Sequence, residues 1–506
     1  MMRRILALMT ACLYLFTVSC GSSTKLISPS EIKGKKDHIS AITLRTGEII
    51  EFDSKGARLD QEKQEVHGVS KDGKDVTVAF ADVISATVQT SSHTDAVVIA
   101  ALTVAFLILV IASTNDDSSS SSTSSGSSCP YVYSFDGDHY VMDAEPLSGA
   151  ITKGLERDDL CRLEHLEAHH GQYELLVRNE LKETQYIDRL QLRVVDHAAG
   201  STVCTDMNGG LHLFGDLVAP SSARDESGVD LRALLKSSDH IPWQSSMPGD
   251  ESWRDVSLRN QLTFTFPKPH GAATANLVVD AATSQWGSVM MRQMMQARGN
   301  RLNDWYAAID AHGPAMADLI RFNQREELYF LKLYVQEGDQ WVLRGWIPGG
   351  APSASELKAI ALDLSGVGGD TVNIRVEPPR GYWSFDYVAM SYHELPTPHS
   401  RVLPVAQATT NDHADIAATI AGADANYYEM KHVGDAVRIT FAAPAPPSAG
   451  VRSVFLDARG YYHAQIDETK PEETALIADV MAHDGAAVRY SLQRFAEMVT
   501  RSKATP

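Results

Sequence analysis

The chain has 506 residues, a formal net charge of −19 and a pI near 5.4. At about 150 residues per domain it exceeds a single core and divides into roughly two to four. Its 44% hydrophobic and 22% charged residues are ordinary for globular protein. The acidic balance disfavours nucleic acid as a partner, because phosphate binding needs a concentrated basic face.

The chain opens on Met1-Met2-Arg3-Arg4, followed by an apolar segment from Ile5 to Val18 that is too short to span a bilayer. Ser19-Cys20-Gly21 closes it. This front end resembles a bacterial lipoprotein signal, and the resemblance implies that residues 1–20 direct export and that Cys20 becomes the lipidated first residue. Thr17 stands where that pattern favours leucine, and an ordinary secretory signal cleaved nearby is the alternative. Acyl chains on Cys20 would hold the protein at a membrane, each buried methylene contributing about 0.8 kcal/mol.

Residues 37–90 predict a small β module. Alternation begins at Ile39 and runs through Ile42 and Leu44, and Thr46-Gly47 turns the chain into Ile49 to Phe52. Val66 to Val69 follows, then Asp72-Gly73, a pair suited to a hairpin turn because both positions need φ > 0. Val76, Val78 and Phe80 alternate, and Val83 to Val88 makes a last short strand. So many short strands in sequence suggest a closed barrel, since closure removes exposed edges.

Within residues 95–113 lies an unbroken apolar run, Ala96 to Ala112, with no charge, glycine or proline. At ~1.5 Å per residue it covers most of the ~30 Å hydrocarbon layer, so a transmembrane helix is expected. A serine-rich linker, residues 114–128, follows. No Lys or Arg flanks the run, which leaves the positive-inside rule silent. If the helix crossed the inner membrane once after export, the rest of the chain would be cytoplasmic. The export signal and the tether into Cys129 favour an extracytoplasmic main body instead, with the helix spanning another membrane, re-entering or packing in an oligomer.

Residues 129–280 read as a β-rich domain. Tyr131 and Tyr133, the Asp136-Gly137 turn and Tyr140-Val141-Met142 form a hairpin pattern. The stretch CPYVYSFDGDHYVMDAEPLSGAI is similar to a signature of uncharacterised bacterial envelope lipoproteins, a resemblance that implies location rather than activity. Cys129, Cys161 and Cys204 are the cysteines left to the soluble part, enough for one disulfide and a free thiol, or for free thiols alone. His165 and His169 are the best metal candidates, since on a helix they would share a face with Glu164 nearby. The order is not HExxH, however, and a polar loop is expected just before the strand Tyr173 to Val177. Tyr186 to Val195, Leu211 to Phe214 and Leu262 to Phe266 add strands of a sandwich; Trp243 and Trp253 between them are expected to pack rather than to stack on sugars.

Residues 281–325 turn helical, with Met290, Met291, Met294 and Met295 filling a core or a partner groove and Gly313-Pro314 separating two pieces. From 326 to 466 the period returns to two, predicting a second sandwich-like domain. Its strand order is similar to that of jelly-roll carbohydrate-binding modules. Phe385-Asp386-Tyr387-Val388 echoes Ile187-Asp188-Arg189-Leu190, an echo too short by itself to establish a duplication. Residues 467–506 close the chain with helices, opening at Pro471 with Glu472-Glu473 in the first turn.

No GxSxG elbow, P-loop or GxGxxG occurs, and Ser355 to Lys358 matches SxxK without its SDN and KTG companions. No catalytic residue and no cofactor is assigned. The fold expected is mainly β with helical segments (α+β): a small N-terminal barrel, one apolar helix, sandwich-like domains with helical insertions and a helical C-terminus. The function expected is that of a lipoprotein anchored in the bacterial cell envelope through Cys20 and the helix Ala96 to Ala112, binding or scaffolding an envelope protein or glycan. The alternative is a glycan-acting hydrolase or carbohydrate-binding protein. Paired carboxylates in an aromatic groove would favour the hydrolase.

Overall fold

The structure is a computed structural model and describes residues 23–27, 38–44, most of 49–90, and 129–504 apart from Ser355. The chain divides into two compact units, residues 1–123 and 124–506. Cys20 with its signal segment, the run Ala96 to Ala112 and the serine tract lie outside the described residues. Among the described residues no helix is long and apolar enough to cross a membrane.

The first unit holds strands β1 (Ser23–Ile27), β2 (His38–Leu44), β3 (Ile49–Glu51), β4 (Arg58–Asp60), β5 (Glu65–Val69), β6 (Asp75–Ala79) and β7 (Val83–Thr90). They form a sheet β1-β7-β2-β3 and a second sheet β4-β5-β6. Ile39, Ile42 and Val83 from one bury with Leu59 and Val66 from the other. Gly68 sits where the two approach closely, since a Cβ there would fall 2.7 Å from that of Ala57. The expected barrel is corrected: among the described residues the backbone pairing between the two sheets is confined to the isolated bridges Ile39–Ala57 and Phe52–Ser70, and no continuous ladder closes them.

The second unit carries β8 (Tyr131–Phe135), β9 (Tyr140–Ala144), β10 (Arg157–Leu163), β11 (Gln172–Arg178), β12 (Glu183–His197), β13 (Thr202–Thr205), β14 (Leu211–Phe214), β15 (Ser222–Asp225), β16 (Trp243–Gln244), β17 (Leu262–Pro267) and β18 (Thr274–Thr283). Helices α1 (Gln285–Gln296), α2 (Leu302–Asp310) and α3 (Pro314–Glu326) follow. Then come β19 (Phe330–Glu337), β20 (Gln340–Pro348), β21 (Leu357–Asp363), β22 (Thr371–Val376), β23 (Trp383–Ser391), β24 (Glu394–Leu395), β25 (Ser400–Leu403), β26 (Val405–Thr410), β27 (Tyr428–Met430), β28 (Ala436–Ala442) and β29 (Val451–Ala464). Helices α4 (Thr474–Ala482) and α5 (Ala486–Ala504) end the unit. The hairpin turn forms as its sequence requires: Gly137 takes φ 97, and Asp136 Oδ1 accepts the N–H groups of Asp138 and His139 at 2.9 Å.

These strands build two sandwiches. In the first, the sheet β26-β28-β11-β8-β9 faces β10-β29-β12-β25, with β27 also on β12. Leu175, Val177, Ile439 and Phe441 from one sheet bury against Leu190, Leu192, Leu456 and Ala458 from the other. In the second, β15-β17-β22-β19-β20 forms one sheet and β16-β23-β18-β21 the corresponding part of the other, extended by β13, β14 and β24. The stretches 129–280 and 326–466 therefore each give strands to both sandwiches.

The two sandwiches are copies of one plan. β8 to β12 correspond in order and pairing to β19 to β23, and β26 to β29 correspond to β15 to β18. The hairpins share a bulge, at Val132/Tyr133 in one and Leu333/Tyr334 in the other. Both central strands carry a second one, at Asp188 and at Asp386. Asp188 accepts the backbone N–H of Asp424 (3.2 Å) and Ala425 (2.8 Å); Asp386 accepts those of His240 (2.8 Å) and Ile241 (3.1 Å). Those loops match in sequence too, Asp415-Ile-Ala-Ala-Thr-Ile-Ala-Gly-Ala-Asp424 against Asp230-Leu-Arg-Ala-Leu-Leu-Lys-Ser-Ser-Asp239. In each, the first aspartate accepts the N–H two residues on. The echo around Asp188 and Asp386 thus belongs to a tandem duplication whose halves are exchanged. The first repeat supplies β8–β12 to one sandwich and β15–β18 to the other, and the second repeat completes both.

Candidate functional site

The duplication supplies an internal comparison, because the same backbone position occurs twice with different side chains. Tyr186 on β12 and Tyr461 on β29 are direct cross-strand partners, and their rings stack with centroids 4.5 Å apart at 11°. Tyr427, one residue before β27, sets its edge against both rings, at 6.2 Å and 5.3 Å. His463 meets Tyr461 at 5.5 Å and stacks on Tyr306 of α2 at 4.7 Å. Lys153 Nζ lies 5.4 Å from the Tyr427 ring centre. At the equivalent positions of the second sandwich stand Ser384, Ala282, Pro242 and Ser284. Ser384, Ala282 and Ser284 are buried there, and α1 begins directly after Ser284. The fold plan does not require aromatic side chains at this place.

Beside this cluster opens a depression of ≈ 490 Å³. Tyr427 and Tyr428 both border it but turn to opposite faces of the strand, Tyr427 into the tyrosine cluster and Tyr428 with Ile187 toward the sandwich core; Ile416 and Thr419 contribute apolar and hydroxyl surface, and Asn426, Lys431 and His432 add polar groups. The loop is held by its own carboxylates. Asp435 Oδ2 accepts the N–H groups of Lys431 (2.7 Å) and His432 (2.8 Å), Glu429 pairs with Lys431 (2.8 Å), and Glu156 accepts the Tyr427 hydroxyl (2.9 Å) and an Arg459 N–H (2.6 Å). Burial pushes the Tyr428 phenol up to about 12, and it raises Tyr427 and Tyr461 further, Tyr427 also through Glu156. Burial lowers His463 below its usual value. These groups present neutral rings at physiological pH.

The outer face next to the cluster is a ladder of ion pairs. Asp457 receives Arg189 and Arg193, each at 2.6 Å, and Arg459 joins Glu156, Asp158 and Asp188. Burial works against the Asp457 anion, yet the hydrogen bonds from Arg189 and Arg193 hold its carboxyl below the usual range.

The residues singled out in the sequence lie elsewhere. Cys129, Cys161 and Cys204 are buried free thiols, and burial raises all of them, Cys204 to about 12, so none is poised as a thiolate. His165 and His169 sit in the loop between β10 and β11 rather than on one helical face. His165 Nδ1 lies 3.0 Å from Asp143 Oδ1, while the His169 ring packs on His170 and Phe135. Among the described residues no group of His, Cys, Asp and Glu is arranged to hold a metal ion. Trp243 is buried against Phe385, and Trp253 is half-buried under Arg254. Lys358 sits on β21 with its amine on Glu356 (2.6 Å) and Thr205 (2.9 Å), so it is not free to activate a serine; Ser355 lies outside the described residues. The tyrosine cluster was missed because Tyr186, Tyr427 and Tyr461 lie far apart in sequence. The one local hint is the pair of aromatic doublets, Tyr427-Tyr428 and Tyr461-Tyr462.

No family model and no curated protein matches this chain. Among solved structures, a chain from the atomic structure of Sulfolobus Turreted Icosahedral Virus aligns over 61% of this chain and 90% of its own, at 8% identity and a TM-score of 0.13. A superposition that poor carries no argument about fold or function.

Proposed function

We propose that the protein is a binding protein of the bacterial cell envelope, anchored by lipid on Cys20 and by the apolar helix Ala96 to Ala112, with its body displayed outside the cytoplasm on the serine tether. The observation that carries the binding role is the tyrosine cluster of Tyr186, Tyr427 and Tyr461 beside the depression, built on one sandwich and replaced by Ser384, Pro242 and Ala282 on its copy. The carboxylates near it, Glu156, Glu429 and Asp435, are engaged with tyrosine, lysine, arginine or backbone partners. That engagement favours recognition over acid–base chemistry, which needs a carboxyl free to exchange a proton with substrate.

Metabolic labelling with a clickable fatty acid, in the natural protein and in Cys20→Ala, tests the anchor, and protease added to intact cells tests the side. Label lost in the variant, with the body digested from outside, is the expected result. Retention of the label, or a body protected until cells are opened, would overturn the anchoring. The binding role predicts that Tyr427→Ala reduces retention of the full chain on detergent-extracted envelopes.

A further inference from the structure

His212 on β14 lies between two carboxylates that come from different segments of the chain. Its Nε2 is 3.1 Å from Oδ2 of Asp206, in the turn before β14, and its Nδ1 is 2.8 Å from Oε1 of Glu394 on β24. A neutral imidazole carries one N–H, so one of the two carboxylates would then face a nitrogen lone pair. Only the imidazolium donates to both. The arrangement therefore calls for a charged ring.

Each carboxylate is placed to keep that demand. Asp206 Oδ1 is fixed by its own turn, accepting the N–H groups of Asn208 (2.7 Å) and Gly210 (2.8 Å), which leaves Oδ2 to the ring. Glu394 Oε2 reaches only the neutral Asn276 amide of β18, at 3.5 Å. Asp206 and Glu394 are the charged groups that act on the ring, and the three side chains are 23–35% exposed, so solvent screens them only in part. Burial works against the imidazolium, yet the hydrogen bonds to Asp206 and Glu394 carry His212 above its usual value.

Little else ties β24 to the body. It is two residues long, pairs with β14 through Glu394 and Leu395, and is followed by Pro396 and Pro398, which have no N–H to extend the ladder. We propose that His212 is a pH-sensitive latch: protonated, it clamps β24 to β14 across the point where the two halves exchange, and on losing its proton it lets β24 part. A raised histidine stabilises below its ordinary value, and that contribution is lost as pH rises through the higher value of the fold. The latch is thus closed in mild acid and opens toward alkaline pH.

The test is cleavage of the full-length protein, in mild detergent, by a glutamate-specific protease between pH 6 and pH 9. The rate of cutting after Glu394 is divided at each pH by that of a free peptide of sequence 389–400, which removes the protease's own pH dependence. This relative rate should rise about tenfold across the interval, since cleavage needs the strand to open, and should be high and nearly flat in His212→Gln. Cutting after Glu183, buried in β12, reports opening of the whole body and should not rise in step. In the natural protein labelled with carbon-13 histidine, the resonance missing from His212→Gln should titrate above the usual histidine value. A relative rate constant from pH 6 to pH 9, a rise matched at Glu183, or an unaltered pH dependence in His212→Gln would overturn the latch. So would a His212 that titrates at or below the usual value.

Discussion

Glu145 and Glu183 lie wholly inside the body, and Glu145 Oε1 and Glu183 Oε2 each meet no hydrogen-bond partner within the protein. Glu145 Oε2 accepts the Ser353 N–H, and Glu183 Oε1 lies 3.4 Å from Arg292. Burial pushes both carboxyls up to about 8, against the lowering influence of those partners. At these two groups the folded chain therefore holds more protons than the unfolded chain between the ordinary glutamate value near 4.5 and about 8. Stability falls as pH rises through that window and levels off above it. Melting followed from pH 5 to pH 8 should show a decline on the order of a few kcal/mol, and Glu145→Gln should flatten its slope. A slope left unchanged by both Glu145→Gln and Glu183→Gln would show that neither carboxyl is protonated in the fold. Neither carboxyl was legible as unusual in the sequence, because burial is set by what the other repeat brings against it.

At the scale of elements, local pattern carried far. β11 alternates buried and half-buried residues as its sequence predicts, and the Asp136-Gly137 turn sits where the hairpin needs φ > 0. The bulges at Asp188 and Asp386 were visible only as a short echo. Their chemistry is now specific: each aspartate terminates two backbone N–H groups of the loop that crosses the sheet edge. Asp188→Ala and Asp386→Ala should each cost about 2–4 kcal/mol in denaturant unfolding, since two donors lose a charged acceptor. Asp188→Ala should cost more, because Arg459 also loses a partner at 3.3 Å. Losses below about 0.5 kcal/mol at both sites would mean that the loops hold by other contacts.

At the scale of the whole body, the exchange of half-sandwiches makes a prediction that strand propensity does not. The connections 198–200 and 393–397 are exposed and lie between the halves. Protease sites introduced into both would cut the body into three pieces. In mild urea the first and third pieces should elute together, because β10, β12 and β29 share one sheet, while the middle piece keeps β15 to β23 and elutes alone. Co-elution of the first piece with the middle one would contradict the exchange. The crossing itself is marked by pairing of β14, which follows the first connection, with β24 in the second, Leu213 with Leu395 and Phe214 with Glu394. Side-by-side hinges of this kind are what two units trading segments leave behind.

By itself the sequence determined the class and the punctuation: period-two strands, two helical stretches, tight turns at Asp-Gly, and an acidic, globular body behind a serine tract. Those properties are local, fixed by which face a residue presents and by what φ a turn demands. Only the tertiary structure decided which strand lies beside which. Alternation tells a strand which side is buried but not who its neighbour is, and Tyr186 finds Tyr461 across most of the body's length. The exchanged duplication, the cluster around Tyr427 and the buried glutamates all follow from that long-range choice, made by complementary surfaces rather than by any single stretch of chain.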